Sequence, residues 1–318
     1  METITFLDIA ELSDVQKGIL FCRKYKILPS DEPKDCDVCF GKDLVVPGVF
    51  NEKPNFPYIF RCKYCRRKVN ITTNTWFEGC RFSINKNIQL IYCWLRGMTI
   101  EKTNSELGLS VKTVGDYFSY CREVCYVICT NSSEPIGGPG ETVELDESYI
   151  TTTKFNKRKV LRSEMKQIWI FGGIEKQSKK FFILRVYGRD KYTIVNVIKH
   201  FVLPGSRIST NGWKTYSELQ EEGYIPDLTK HSIKVTTNED SGSERVWKSL
   251  KETMKTQGRP GICDDTYIFQ YLYLNQLKSR NYKHPSEQLP VFLRDIGKVY
   301  TGFGGTNLLP KSVIVRKR

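Results

Sequence analysis

Two hydrophobic periodicities divide this chain. Between residues 83 and 128, apolar side chains recur at three- and four-residue steps. Ile84, Ile88, Ile91 and Leu95 form one stripe, and Val111, Val114, Phe118, Cys121, Cys125 and Ile128 form another. That spacing predicts amphipathic helices. A short helix ending at Gly108 and a Leu-Gly-Leu-Ser turn at 107–110 lie between the stripes, with Ser110 placed to cap the second. From residue 142 the pattern changes to alternation: Val143 and Leu145 fall on one face of an extended segment, Glu144 and Asp146 on the other. Strands are expected at 142–149, 167–174, 180–187, 206–210 and 232–236, and helices at 190–202, 213–222 and 243–257.

The order of three strands, helix, strand, helix, strand, helix describes an α/β ribonuclease-H-like domain, expected over 142–282, with its first and fourth strands adjacent. Before it, the chain divides into an N-terminal helical segment (1–30), a cysteine-bearing ribbon (31–80) and a small helix-turn-helix-like domain (81–130). The Gly/Pro/Ser-rich run within 131–141 reads as a linker, and 283–318 as a C-terminal helix and basic tail. In a helix-turn-helix, Lys112, Thr113 and Asp116 would face the DNA major groove.

Charge sharpens this reading. Forty-nine Lys and Arg against thirty-five Asp and Glu give a net charge of +14 and a pI near 9.2, which points to a polyanionic partner such as DNA. The charge is clustered: Lys154 to Arg189 holds eleven basic residues, Lys157, Arg158 and Lys159 among them, and only two acids, Glu164 and Glu175. The N-terminus is acidic where a secretory signal would be basic, and no apolar run reaches membrane-spanning length, so no membrane partner is expected.

Eleven cysteines in a chain without a secretory signal suggest metal ligation and reduced core thiols. Cys36-Asp-Val-Cys39 and Cys62-Lys-Tyr-Cys65 are two CxxC pairs, each able to bend as a knuckle and offer two thiolates to one tetrahedral zinc. The result would be a zinc ribbon. Arg61, Lys63, Arg66, Arg67 and Lys68 around the second knuckle suit a phosphate backbone. Cys121, Cys125 and Cys129 recur at helical spacing and read as core.

Several blocks in order resemble the Merlin-type DDE transposases and their bacterial insertion-sequence relatives. They are Cys-Arg-Glu-Val-Cys (121–125), Ile-Gly-Gly-Pro-Gly-Glu-Thr-Val-Glu-Leu-Asp-Glu-Ser (136–148) and Trp-Ile-Phe-Gly-Gly-Ile-Glu (169–175). Trp-Lys-Thr-Tyr (213–216), Glu-Glu-Gly-Tyr (221–224), His231-Ser232 and Glu-Arg-Val-Trp-Lys-Ser-Leu-Lys (244–251) continue the series. The resemblance implies a catalytic triad of metal-binding carboxylates at positions matching Asp146, residue 211 and Glu244, with magnesium or manganese as the catalytic ion. This sequence departs from it at Asn211, and again upstream of Glu244, where Asp240-Ser241 replaces a Thr-Asn pair.

The implied activity is cleavage and transfer of DNA strands at transposon terminal inverted repeats into target DNA, by a homo-oligomer assembled on the DNA. Eukaryotic relatives act in the nucleus, so a nuclear protein is implied in a eukaryotic host and a cytoplasmic one otherwise. Asn211 keeps a carbonyl oxygen but lacks the charge that hard cations favour, so cleavage is expected to be impaired. Asp190, Glu239 and Asp240 are poor substitutes by position, and Glu147 faces away from Asp146. Lys248 and Lys251, on the helix of Glu244, are candidate phosphate contacts. A non-catalytic, domesticated DNA-binding protein is the alternative reading, and a zinc-dependent protein adaptor a third.

Overall fold

The computed structural model describes residues 2–49, 56–132, 134–152, 166–188, 190–210, 216–227, 242–257 and 265–302. They form two compact units, one drawn from Met1–Ile128 and Asn281–Pro310, the other chiefly from Cys129–Arg280.

The first unit opens with α1 (Phe6–Ala10), a single 3-10 turn (Glu11–Ser13) and α2 (Val15–Lys24). Short helices need their ends satisfied, and here the caps are local. Thr5 and Asp8 form a reciprocal capping box on α1, and the Lys17 N–H donates to Asp14 at the start of α2 (2.8 Å). Three antiparallel strands follow in the order β1 (Val45–Val49), β2 (Tyr58–Cys62), β3 (Lys68–Asn70). Then come α3 (Ile84–Leu95), α4 (Ile100–Leu107) and α5 (Val111–Ser132). The predicted α3 stripe is the one that is buried: Ile84, Ile88, Ile91 and Leu95 all lie in the core.

In the second unit, β4 (Ile136–Gly137) precedes the long strands β5 (Thr142–Thr152), β6 (Lys166–Glu175) and β7 (Phe181–Val186). After them come α6 (Lys191–Phe201), β8 (Val202–Leu203), β9 (Arg207–Thr210), α7 (Tyr216–Glu221), β10 (Ile225–Pro226), α8 (Gly242–Gln257) and α9 (Asp265–Ser279). The main sheet runs β10-β9-β5-β6-β7. β5 pairs antiparallel with β6 and parallel with β9, so the first and fourth long strands are neighbours.

Alternation along these strands feeds two cores. Val143, Leu145, Phe171, Phe182 and Ile208 pack with Ile194, Val197, Ile198 and Phe201 of α6 on one face. Ile170 and Ile183 pack with Leu250 of α8 and with Ile268 and Tyr271 of α9 on the other. Gly173 lies on the first face, where a Cβ would come within 2.6 Å of Leu145 and 2.7 Å of Phe182. Glycine lets β6 pass over that crowded point.

Two expectations differ from the fold, and two features go beyond them. The segment read as a linker, 131–141, contains the last two residues of α5 and then β4, which pairs with β8. The last helix, α10 (Pro285–Val299), belongs to the first unit, where Phe292 packs on Trp94 of α3 at 5.0 Å. Val111, placed by periodicity on the inner face of α5, is 47% exposed because it is the first residue of the helix, ahead of the packed turns. α9 was not anticipated at all. Its buried residues are consecutive from Tyr267 to Tyr273, so it shows no one-sided stripe. The strand expected at 232–236 lies outside the described residues.

Candidate metal and nucleic-acid sites

Cys36, Cys39, Cys62 and Cys65 converge, with all four Sγ atoms within 4.8 Å of one another. Cys36 and Cys65 are 3.5 Å apart and Cys39 and Cys62 3.7 Å. Four sulfurs about 2.3 Å from one tetrahedral ion would be about 3.8 Å apart, so the set can hold a metal such as zinc. Disulfides, with sulfurs about 2 Å apart, do not fit this spacing.

The two knuckles repeat one geometry. The Cys36 N–H donates to the Gly41 carbonyl and the Cys62 N–H to the Arg67 carbonyl, each at 2.9 Å. The residue after each second cysteine, Phe40 (φ +56°) or Arg66 (φ +61°), adopts the left-handed conformation that closes the turn. Within the first knuckle, the N–H groups of Cys39 and Val38 donate to Cys36 and draw its thiol down to about 6. A thiolate is the form a metal takes.

Around the second knuckle, Arg61, Lys63, Arg66, Arg67 and Lys68 are all exposed. Arg67 also forms an ion pair with Asp37 of the first knuckle at 2.8 Å, so part of its charge is used within the ribbon.

Helices α4 and α5 meet through the turn the sequence marked. Gly108 adopts φ +61° as the C-cap of α4, and Thr99 caps its start. Ser110 accepts from the Thr113 N–H at 3.0 Å. The Thr113 hydroxyl also lies 2.8 Å from Ser110, so Thr113 belongs to the cap as well as to the exposed face. Lys112 and Asp116 are exposed. Val114, Phe118, Cys121 and Cys125 are buried, and burial pushes the Cys121 thiol well above its ordinary range.

In the second unit, Asp146 is half-buried on β5, opposite Gly172 of β6, and its Oδ1 accepts from the Glu147 N–H at 2.8 Å. Its neighbour Leu145 is the register partner of Thr210, the last residue of β9. Alternation puts Asp146 on the sheet face that carries α8 and α9. Glu244 lies in the first turn of α8, a helix packed against β5 and β6. Asn211 itself, the candidate acids Glu239 and Asp240, and the basic residues Lys157, Arg158 and Lys159 lie outside the described residues. Asp190 is committed elsewhere: its two oxygens accept from the Thr193 N–H (2.9 Å) and hydroxyl (2.6 Å) as the cap of α6, and these bonds hold its carboxyl below the usual range. Lys248 is exposed, and Lys251 extends its ammonium to within 5.7 Å of the Tyr149 ring centre.

Residues 138–280 match the ISXO2-like transposase domain. The matched family is of DDE transposase type, and the match ends at the last residue of the second unit's main segment, Arg280. Asp146, β9 and α8 all fall within the matched segment. The chain is also similar to Male abnormal protein mab-31 of Caenorhabditis elegans, at 25% identity over 167 residues. That alignment covers 48% of this chain and 38% of the worm protein.

Sequence reading missed Tyr149, an exposed ring three residues beyond Asp146 that also lies 5.4 Å from Trp169. Its signal was an aromatic residue in a polar stretch of strand, which alternation alone assigns to no core. Among the described residues, no helix is long and apolar enough to cross a membrane.

Proposed function

We propose that this chain is a transposase or transposase-derived protein of Merlin type that binds DNA at the ends of a mobile element, and that Asn211 impairs its ancestral strand-cleaving chemistry. The observation that carries this reading is the register of β5 and β9. Leu145 pairs with Thr210, which brings the end of β9, immediately before residue 211, beside the strand of Asp146. The order β7-β6-β5-β9-β10 and the parallel central pair support a ribonuclease-H-like arrangement. α8, with Glu244 in its first turn, covers the face to which Asp146 points.

Two magnesium or manganese ions, when bound in such a site, activate the attacking oxygen and stabilise the leaving one. Asp146 and Glu244 would hold them. Asn211 contributes at most a neutral oxygen, and a lost carboxylate weakens a site for hard cations. Lys248 and Lys251, on the same helix, would meet the phosphates of the strand. In the first unit the four thiolates would hold zinc, which fixes the ribbon and its basic flank. Lys112 and Thr113 of α5 would meet the major groove. In a eukaryotic host the protein would act in the nucleus, and otherwise in the cytoplasm, as a homo-oligomer on DNA.

Asn211 also favours a second reading, a domesticated DNA-binding protein without catalysis. The similarity to a worm protein whose name describes a host trait points the same way.

Binding and cleavage should be measured together on duplex DNA from the sequences flanking the gene, in magnesium and then in manganese. The expected result is tight binding that weakens steeply with salt, by about 0.9 in the log–log slope for each phosphate contacted, and cleavage that is weak or absent. A protein that shows no affinity for duplex DNA even at low salt would overturn the reading and leave the adaptor hypothesis.

A further inference from the structure

The ribbon's tip carries two large aromatic residues that the fold does not bury. Phe40 is 84% exposed and Tyr64 is 79% exposed, with Val38 beside them at 52%. Each ring belongs to a residue bonded directly to a thiol ligand: Phe40 follows Cys39, and Tyr64 precedes Cys65. Those two cysteines belong to one cluster whose sulfurs all lie within 4.8 Å, so both rings are carried by residues that flank the same thiol site.

Phe40 occupies its place against backbone preference. Its φ of +56° lies in the left-handed region, which glycine enters freely and a bulky residue does not. A glycine would close this turn more easily, and the chain already has one at the next position, Gly41. A strained, solvent-facing ring suggests a role in binding. Its surroundings indicate for what. Lys42, Lys63 and Arg66 interleave with the rings along the two knuckles, and Arg61 and Lys68 extend the charge along β2 and β3. Aromatic faces set among cations recognise a strand whose bases are unpaired, because the rings stack on bases while the cations follow the phosphates. A paired duplex keeps its base faces inside the stack and offers the tip only phosphates.

We infer that the tip formed by Phe40 and Tyr64 is a stacking site for unpaired nucleotides of DNA, so that the ribbon distinguishes single-stranded or opened DNA from intact duplex. The inference rests on the reading of the chain as a DNA-binding protein and adds a preference that this reading does not contain.

The test compares two fluorescent probes with the zinc-loaded full chain: an oligothymidine strand of about twenty nucleotides, longer than the roughly 4–16 nucleotides that a single-strand-binding fold covers, and a blunt-ended duplex of the same length. Phe40→Gly removes a ring and suits the backbone, so it should fold at least as well. Tyr64→Leu removes the second ring but keeps an apolar surface. Zinc content and thermal unfolding of the double variant check the fold directly. The double variant is expected to bind the oligothymidine about tenfold more weakly or worse, with its duplex affinity and the salt slope for both probes unchanged. Lys63→Ala with Arg66→Ala should instead lower the salt slope on the single strand, by about 0.7 for each phosphate no longer neutralised. Phe40→Tyr with Tyr64→Phe should restore full binding.

Equal losses on both probes, or no loss on the oligothymidine, would overturn the inference while leaving the reading of the chain as a DNA-binding protein standing. If the unmodified chain binds neither probe, both this inference and the DNA-binding reading fail.

Discussion

Gly172 is the register partner of Asp146, so the neighbouring strand sets no side chain directly against this carboxylate. The same face carries Ile170, Ile183 and Leu250 and also the buried carboxylate of Glu144, two residues before Asp146. In the proposed reading, Asn211 brings a neutral amide where the family resemblance implies a third carboxylate. Its successor, Gly212, also leaves Asn211 open to deamidation, so any preparation should be weighed before its activity is judged. A different residue tests the electrostatics of the first unit. Glu2 hydrogen-bonds Lys24 and Tyr25, with Arg294 beside it, and these bonds lower its carboxyl below the ordinary 4.5. A lowered folded pKa gives stability that is present above the unfolded value and lost as pH falls through the folded one. Glu2→Gln should therefore cost about 0.2–1 kcal/mol at neutral pH and nothing below that window, as read from denaturant midpoints across the pH range. Single residues were legible in the sequence where a short motif defined them. The two CxxC pairs and Asp146 in its alternating strand are of this kind. Phe40, Tyr64 and Tyr149 escaped because exposure is a property of the fold, and no spacing rule announces it.

At the scale of elements, the ribbon depends on its ligands most. β2 and β3 have five and three residues and β1 five, too little structure to bury much apolar area. Metal binding is then folding energy. Removing zinc with a chelator, or replacing Cys36 with Ser, should abolish the ribbon's protection from proteolysis. The second unit should keep its own, as limited digestion with mass analysis would report. Survival of an undigested ribbon without metal would show that the thiols are ordinary core groups. α10 offers a packing test. A Cβ on Gly297 would lie 2.5 Å from the Tyr25 carbonyl oxygen and 2.9 Å from that of Lys26, both backbone atoms with little room to yield. Gly297→Ala should destabilise the first unit by about 1–3 kcal/mol, the usual cost of overpacking, measurable as a lowered midpoint. Periodicity found α3, α4, α5, α6 and α8 because each has one apolar side. It could not find α9, which is apolar on consecutive positions, nor the return of α10 to the N-terminal helices, a partnership between segments some 260 residues apart.

For the whole molecule, the division into two units matches a division of chemistry. The first unit holds the thiol cluster and the helix-turn-helix-like pair. The second holds Asp146, Glu244 and a segment that matches a transposase domain to its last residue. The order of strands and helices in the second unit was readable from the sequence because each long strand alternates or runs apolar and is separated by clear breaks. Sheet order and the β5–β9 register were not, since strands far apart in sequence become neighbours only through their crossovers. The proposed reading makes residue 211 decide whether this chain cuts DNA. The decisive measurement is manganese-dependent cleavage of the flanking-sequence duplex by the unmodified chain, Asn211→Asp, and Asn211→Asp combined with Asp146→Ala, each shown by intact mass to be free of deamidation. The account predicts that all three bind the duplex, that Asn211→Asp cuts at least about a hundredfold faster than the unmodified chain, as a gain of roughly 2.7 kcal/mol in transition-state stabilisation would require, and that adding Asp146→Ala abolishes the gain. Equal cleavage by the unmodified chain and Asn211→Asp, or none by either, would contradict it.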